Sequence, residues 1–346
     1  GLGRFDLVAH LARTHAERGA KLAAEMGLGP GVPAAIAAAS ERYDGSGAPT
    51  GAAGEAIPLA GRIVALAQAA AQAWSEGGSQ AAVELVARHA GTWFDPDVAA
   101  AFADPLVSAD LDESLRHDRV WHALADVAPE EEPLSVDDER LDRVAEVFGR
   151  VIDAKSAWTV RHSSRVRRVV LGMFDQLEAP GDATARRRAL ARGAALHDIG
   201  NLGVSNAVLE KGGSLDEAEL EVVRRHTAYG EHILSWVDAF AEVVPLAAGH
   251  HERPDGRGYH GAVPADLLPF DVRLLAVADQ FEALTAPRPH REAFSPEEAL
   301  AILAAEAGSG VDAKALVALE RYLGTPEAKE LLAGERFDPE EMLVIA

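Results

Sequence analysis

The chain repeats itself, so any fold proposed for it must be built in two related copies. The segment Ser40-Glu41-Arg42-Tyr43-Asp44-Gly45-Ser46-Gly47 returns as His251-Glu252-Arg253-Pro254-Asp255-Gly256-Arg257-Gly258, an offset of 211 between Ser40 and His251. The same offset sets His15 on His226, Gly19 on Gly230 and Gln68 on Asp279. Further on, Gly91 and Asp95 fall on Gly308 and Asp312 at an offset of 217, so the second copy carries six extra residues near Pro287 to Arg291. A register held from Gly19 to Gln68 is not chance. Where the second copy has His250, His251 and Asp279, the first has Ala39, Ser40 and Gln68. The first therefore reads as a scaffold without the second copy's polar cluster. Residue 1 aligns with residue 212, so the first copy is either a half-domain or the remainder of a domain that begins earlier.

Helix is the expected state almost throughout. Of the residues, 48% are hydrophobic but only 5% aromatic, because much of the apolar content is alanine, the strongest helix former. Apolar periodicity and capping signals predict helices over 1–28, 34–41, 57–74, 79–90, 95–102, about 115–127, 138–153, 160–177, 184–197, 216–234, 240–252, 270–285, 296–307 and 312–323. Strand signals are nearly absent, and the expected fold is all-α. The divisions expected are a degenerate partial domain over 1–105, an acidic linker with a long connecting helix over 106–150, a complete domain over 151–325, and a tail over 326–346.

Composition narrows the function. There are no cysteines, which excludes disulfides and thiolate metal sites, so any metal must be held by His and carboxylates. A net charge of −22 argues against broad nucleic-acid or anionic-membrane binding. It allows a nucleotide substrate if cations reverse the field locally. No long uninterrupted apolar run and no signal peptide is evident, so a cytoplasmic protein without membrane contact is expected.

The second copy concentrates metal-binding chemistry. His162, His197-Asp198, His226, His250-His251 and Asp279 (the last ending the apolar run Leu274 to Ala278) are seven imidazoles and carboxylates. These are more than one ion needs, and the types suit first-row divalent metals. A carboxylate can bridge two ions, and two ions about 3.5–4 Å apart would activate water and neutralise a phosphoryl oxygen. The expectation is a two-metal hydrolase site with Asp198 between the ions.

Residues 153–323 resemble the HD-GYP family of HD-superfamily metal-dependent phosphohydrolases. The likeness is carried by Asp153-Ala-Lys155, His162-Ser163, Leu196-His-Asp-Ile-Gly200, Leu202-Gly-Val204, His226 and His250-His-Glu-Arg-Pro-Asp-Gly-Arg-Gly-Tyr259. It continues through Ala278-Asp279, Ala283-Leu-Thr285, Arg288-Pro289 and Ser295-Pro-Glu-Glu-Ala299. The resemblance implies an HD-type helical bundle and the seven residues above as ligands, with Asp198 bridging and acting in catalysis. It also implies bound iron or manganese, and hydrolysis of cyclic di-GMP to pGpG or GMP. Asn201, Arg253, Asp255, Arg257, Tyr259, Arg288 and Arg291 are the substrate-side candidates. The departures are Asn201 in place of the usual Lys, His260 in place of Pro, His290 in place of Tyr, and Trp158 where three-metal members carry Glu. Two ions are therefore expected. The rival readings are a metal-binding sensor with little turnover and a phosphohydrolase for another nucleotide; a homodimer is the partner arrangement considered.

Overall fold

The computed structural model describes residues 4–103, 137–177, 183–259, 263, 267–287 and 291–334. The chain divides into two compact units, Gly1–Arg140 and Leu141–Ala346. Both are helical, and no strand forms among the described residues. None of their helices is long and apolar enough to cross a membrane.

The first unit contains α1 (Arg4–Glu25), α2 (Gly31–Ala37), α3 (Leu59–His89) and α4 (Pro96–Phe102). The helices expected over 57–74 and 79–90 run into one another as α3, but Gly78 at φ 73° and ψ −171° breaks the helical path between them. Leu66, Ala70, Val86, Phe94 and Ala99 form the core here. Asp95 begins α4 by accepting from the backbone N–H groups of Asp97 and Val98, the usual capping role of a short polar side chain. The helix expected near 115–127 lies outside the described residues.

The second unit contains α5 (Asp138–Asp153), α6 (His162–Asp175), α7 (Thr184–Leu196), α8 (Glu217–Arg224), α9 (His226–Ser235), α10 (Val244–Gly249), α11 (Phe270–Thr285), α12 (Pro296–Ala305), α13 (Ala313–Leu323) and α14 (Pro326–Gly334). The core is centred on α6, which packs against α7, α11 and α13 through Val166, Val170, Met173, Leu274, Leu275 and Leu319. Reciprocal capping boxes open α8 at Asp216/Glu219 and α12 at Ser295/Glu298. Each satisfies N–H groups that the helix itself cannot pair.

Three expectations need correction, and a fourth is filled out. The helix over 138–153 forms as expected and is packed: Ala145 and Ile152 belong to a core with Leu196, Ile199 and Leu234. Its Asp142 also pairs with the buried Arg192 of α7. The segment after 325 is not simply a tail, because α14 adds Ala328 and Leu331 to the main core. The helix expected over 216–234 is divided at Arg225. The one expected over 240–252 shrinks to Val244–Gly249, because Pro245 favours a helix start and the chain turns out at His250.

The duplication survives in detail. Arg62 pairs with Asp95, and Arg273 Nη1 pairs with Asp312 Oδ2 at 2.5 Å. The Asp44 N–H donates to Thr92 O at 2.8 Å, and the Asp255 N–H donates to Ser309 O at 2.9 Å. In both Asp-Gly-x-Gly turns the first glycine has positive φ, 80° at Gly45 and 73° at Gly256, a conformation other residues resist. A Cβ on Gly47 or Gly258 would lie 2.6 Å from the Cα of Glu41 or Glu252. Asp312→Ala removes both a helix cap and the partner of Arg273, and should cost about 1–3 kcal/mol. Urea denaturation checks this, and Asp95→Ala should behave alike in the first unit.

Candidate metal centre

Each ligand candidate is delivered by the end or interior of a helix. His162 begins α6, and the residue before it, Arg161, is held at φ 63°. No side chain on that residue caps α6; Asp153 does so from the end of α5. Its carboxylate accepts from the Ser163 N–H at 3.1 Å and from Ser163 Oγ at 2.6 Å. Burial pushes the Asp153 carboxyl up to about 6. His197 follows the last residue of α7, and Asp198 follows it into a tight turn. A Cβ on Gly200 would lie 1.8 Å from the carbonyl oxygen of His226, so only glycine lets the His-Asp turn lie against the start of α9. Asp279 projects from α11, where every residue from Leu274 to Ala278 is buried.

Three imidazoles are oriented by the same device. The Nδ1 of His197 bonds Ala194 O at 2.9 Å, that of His226 bonds Val223 O at 2.6 Å, and that of His250 bonds Ala247 O at 2.9 Å. A carbonyl can only accept, so each Nδ1 carries the proton and each Nε2 presents a lone pair. Backbone hydrogen bonds of this kind set the tautomer of metal-binding histidines. The Nε2 atoms then meet in pairs, His162 with His197 at 3.2 Å and His226 with His250 at 3.2 Å. In the His226–His250 pair both lone pairs face one another, which is repulsive unless a cation lies between them. Two donors bound at about 2.1 Å to one ion sit roughly 3.0–3.4 Å apart, so the spacing suits shared coordination.

Two trios emerge. His162, His197 and Asp279 offer donor atoms within 4.8 Å of one another, and so do His226, His250 and His251. Asp198 stands between them. Its Oδ2 is 3.7 Å from His162 Nε2 and 3.6 Å from His197 Nε2. Its Oδ1 is 3.4 Å from His226 Nε2 and 3.8 Å from His250 Nε2. One oxygen faces each trio, so the seven side chains converge on one region whose imidazole and carboxylate donors suit divalent metal.

Electrostatics follow from this crowding. Burial opposes ionisation of Asp198, but positive charge in the group of imidazoles about it, at His162 above all, holds its carboxyl below the usual range. Burial drives His250 well down, and lowers His251 to about 4. These two rings are neutral and ready to ligate at pH 7. At His162 burial also opposes charge, yet Glu282 and Asp279 raise its imidazole well above the usual histidine value.

Glu282 was not among the residues singled out from the sequence. It is buried, and its Oε2 lies 2.5 Å from His162 Nδ1 while its Oε1 lies 3.2 Å from Arg165 Nε. It orients His162 as the backbone carbonyls orient the other rings. The available signal was its position one helical turn after Asp279.

The substrate-side candidates scatter. Tyr259 lies beside His251, with ring centroids 4.5 Å apart and the rings tilted by 34°. Asn201 and Asp198 line a common cleft. Arg253 instead pairs with Asp255 and with Glu306 at 3.1 Å, and the Arg257 N–H donates to Asp255. Arg291 donates to the carbonyls of Ala283 and Leu284 near the end of α11, so its guanidinium serves that helix end. Arg288, His260 and His290 lie outside the described residues.

An all-α bundle carrying paired His/Asp trios defines a metal-dependent phosphohydrolase. The HD domain family matches residues 9–98 and 146–315, and the chain belongs to that family, in its HD-GYP branch. It is 36% identical to the 3′3′-cGAMP-specific phosphodiesterase 3 of Vibrio cholerae serotype O1, over 92% of this chain and 68% of that protein. It is also 36% identical to a cyclic di-GMP phosphodiesterase response regulator of Xanthomonas campestris pv. campestris, over 53% of this chain and 47% of that one. The crystal structure of a V. cholerae cyclic GMP-AMP-specific phosphodiesterase matches with a TM-score of 0.67 at 34% identity, covering 94% of this chain and 75% of that one.

Two expectations follow from the geometry. Metal uptake at His162 must displace a proton, so affinity rises with pH; calorimetry at pH 7 in buffers of different ionisation enthalpy should show about one proton released per chain. No release would refute that charge state. Glu282→Gln should weaken metal binding about 10–100-fold in a chelator competition.

Proposed function

We propose that this chain is a phosphodiesterase of cyclic dinucleotides, with 3′3′-cGAMP the first substrate to test and cyclic di-GMP the second. The order follows the relatives: the protein matched over most of this chain is named for 3′3′-cGAMP, while a cyclic di-GMP phosphodiesterase matches about half. The observation that carries the reading is the Asp198 carboxylate, placed with one oxygen toward His162 and His197 and the other toward His226 and His250. His162, His197 and Asp279 would hold one ion, His226, His250 and His251 a second, and Asp198 would serve both. Iron or manganese suits this nitrogen-and-oxygen donor set. Bound divalent ions supply Lewis acidity toward a phosphoryl oxygen and acidify water.

The chain's own residues account for the remainder. Hydrolysis adds water to phosphorus and breaks one P–O3′ bond; the departing ribose oxygen takes a proton and a linear dinucleotide with a 5′-phosphate results. Asp198, held ionised beside the charged His162, sits where the diester must lie. Tyr259 beside His251 forms part of the rim. Asn201 offers a hydrogen bond without charge, and Lys155 and Lys211, which line the same cleft, bring positive charge near it.

The test is metal content and product release measured on one preparation. About two ions per chain with conversion of 3′3′-cGAMP to the linear dinucleotide is expected, and Asp198→Asn should lower turnover by at least about 100-fold. A fully metallated chain that hydrolyses no cyclic dinucleotide would leave the sensor reading instead; hydrolysis of some other nucleotide alone would reassign the substrate.

A further inference from the structure

The metal centre opens on a cleft of about 440 Å³, within the roughly 300–1,000 Å³ span of small-molecule sites. Asp198 belongs to both, lining the cleft and standing between the trios. The other walls divide by chemistry. Trp158, just before α6, presents an indole. Leu209, Leu220 and Val223 are aliphatic, and Lys155 and Lys211 contribute ammonium groups. Lys155 Nζ lies 3.2 Å from Leu202 O, and Lys211 Nζ lies 2.5 Å from Glu219 Oε2, so both are anchored at defined places. Such walls suit a flat apolar ring with polar edges, carried by something anionic.

Position narrows the occupant further. On the function proposed above, which this inference rests on, the reacting phosphate lies at Asp198. Whatever fills a cleft that begins at Asp198 must therefore be joined to that phosphate. The group attached there is a nucleoside. We propose that the cleft seats the nucleobase adjoining the scissile phosphate, with Trp158 as its stacking platform and Lys155 and Lys211 facing the polar edges of that nucleotide. Stacking on an aromatic face tolerates any base, so Trp158 sets affinity for cyclic dinucleotides as a class. Discrimination between guanine and adenine falls to the groups around the ring's edge.

Steady-state kinetics on 3′3′-cGAMP test this with the metal-loaded chain and its Trp158→Leu and Trp158→Phe variants. Leucine keeps an apolar side chain but has no π-face, so KM should rise about 5- to 150-fold, the loss expected for one base–aromatic stack, with a smaller change in kcat. Phenylalanine should restore KM to within about threefold of the native value. An unchanged KM in Trp158→Leu, or a fall in kcat with KM held, overturns the assignment. If Trp158→Leu does not fold, fluorescence decides: the linear dinucleotide product should quench the metal-loaded native chain more than the metal-loaded Trp158→Phe, and equal quenching overturns it. A native chain that hydrolyses no cyclic dinucleotide removes the proposed function first, and this inference with it. That result is distinct from a native enzyme whose Trp158 variants are unaltered.

Discussion

The structure of the second unit turns on an unfavourable arrangement: unprotonated ring nitrogens pointing at one another in a protein interior. His226 Nε2 and His250 Nε2 are 3.2 Å apart, and neither can donate because each Nδ1 already bonds a carbonyl three residues earlier. Facing lone pairs together with the buried carboxylate of Asp279 and the partly buried one of Asp198 form a negative pocket. Buried charge of this kind is tolerated when it is paired or coordinates a metal. The surrounding helices hold the arrangement in place through α6, α7, α9, α10 and α11, and the glycine at 200 allows the closest of these approaches.

The first unit shows that this scaffold does not depend on the ligands. It keeps the Arg62–Asp95 pair, the capped α4 and the Asp44 turn. At the ligand positions it has Ala39, Ser40 and Gln68, and its His15 is exposed. Packing and turn chemistry are therefore separable from metal chemistry in this fold. The ion pairs and glycine turns shared by both copies are structural, and the residues that differ carry the site. The same comparison explains Arg253 and Arg273: one is tied to the turn and Glu306, the other to Asp312.

Much of this was legible beforehand. Helices such as Asp138–Asp153 and Phe270–Thr285 fall where apolar periodicity and capping place them, because those signals are local. The seven ligand candidates were legible as residue types in an ordered set. Misplaced features depended on distant partners. The segment after 325 read as a tail, and instead places Ala328 and Leu331 in the main core.

By itself the sequence determined the all-α character, the duplication and the exclusion of thiolate ligands, since these rest on composition, short-range periodicity and register. Tertiary structure alone decided which nitrogen of each ring faces the site, that the two oxygens of Asp198 divide between two trios, and that Glu282 supports His162 from 120 residues away. It also decided that Trp158 and Lys211 share a cleft with Asp198. Such facts are distances between groups far apart in the chain. They are set when helices pack together, and no local pattern of side chains encodes them.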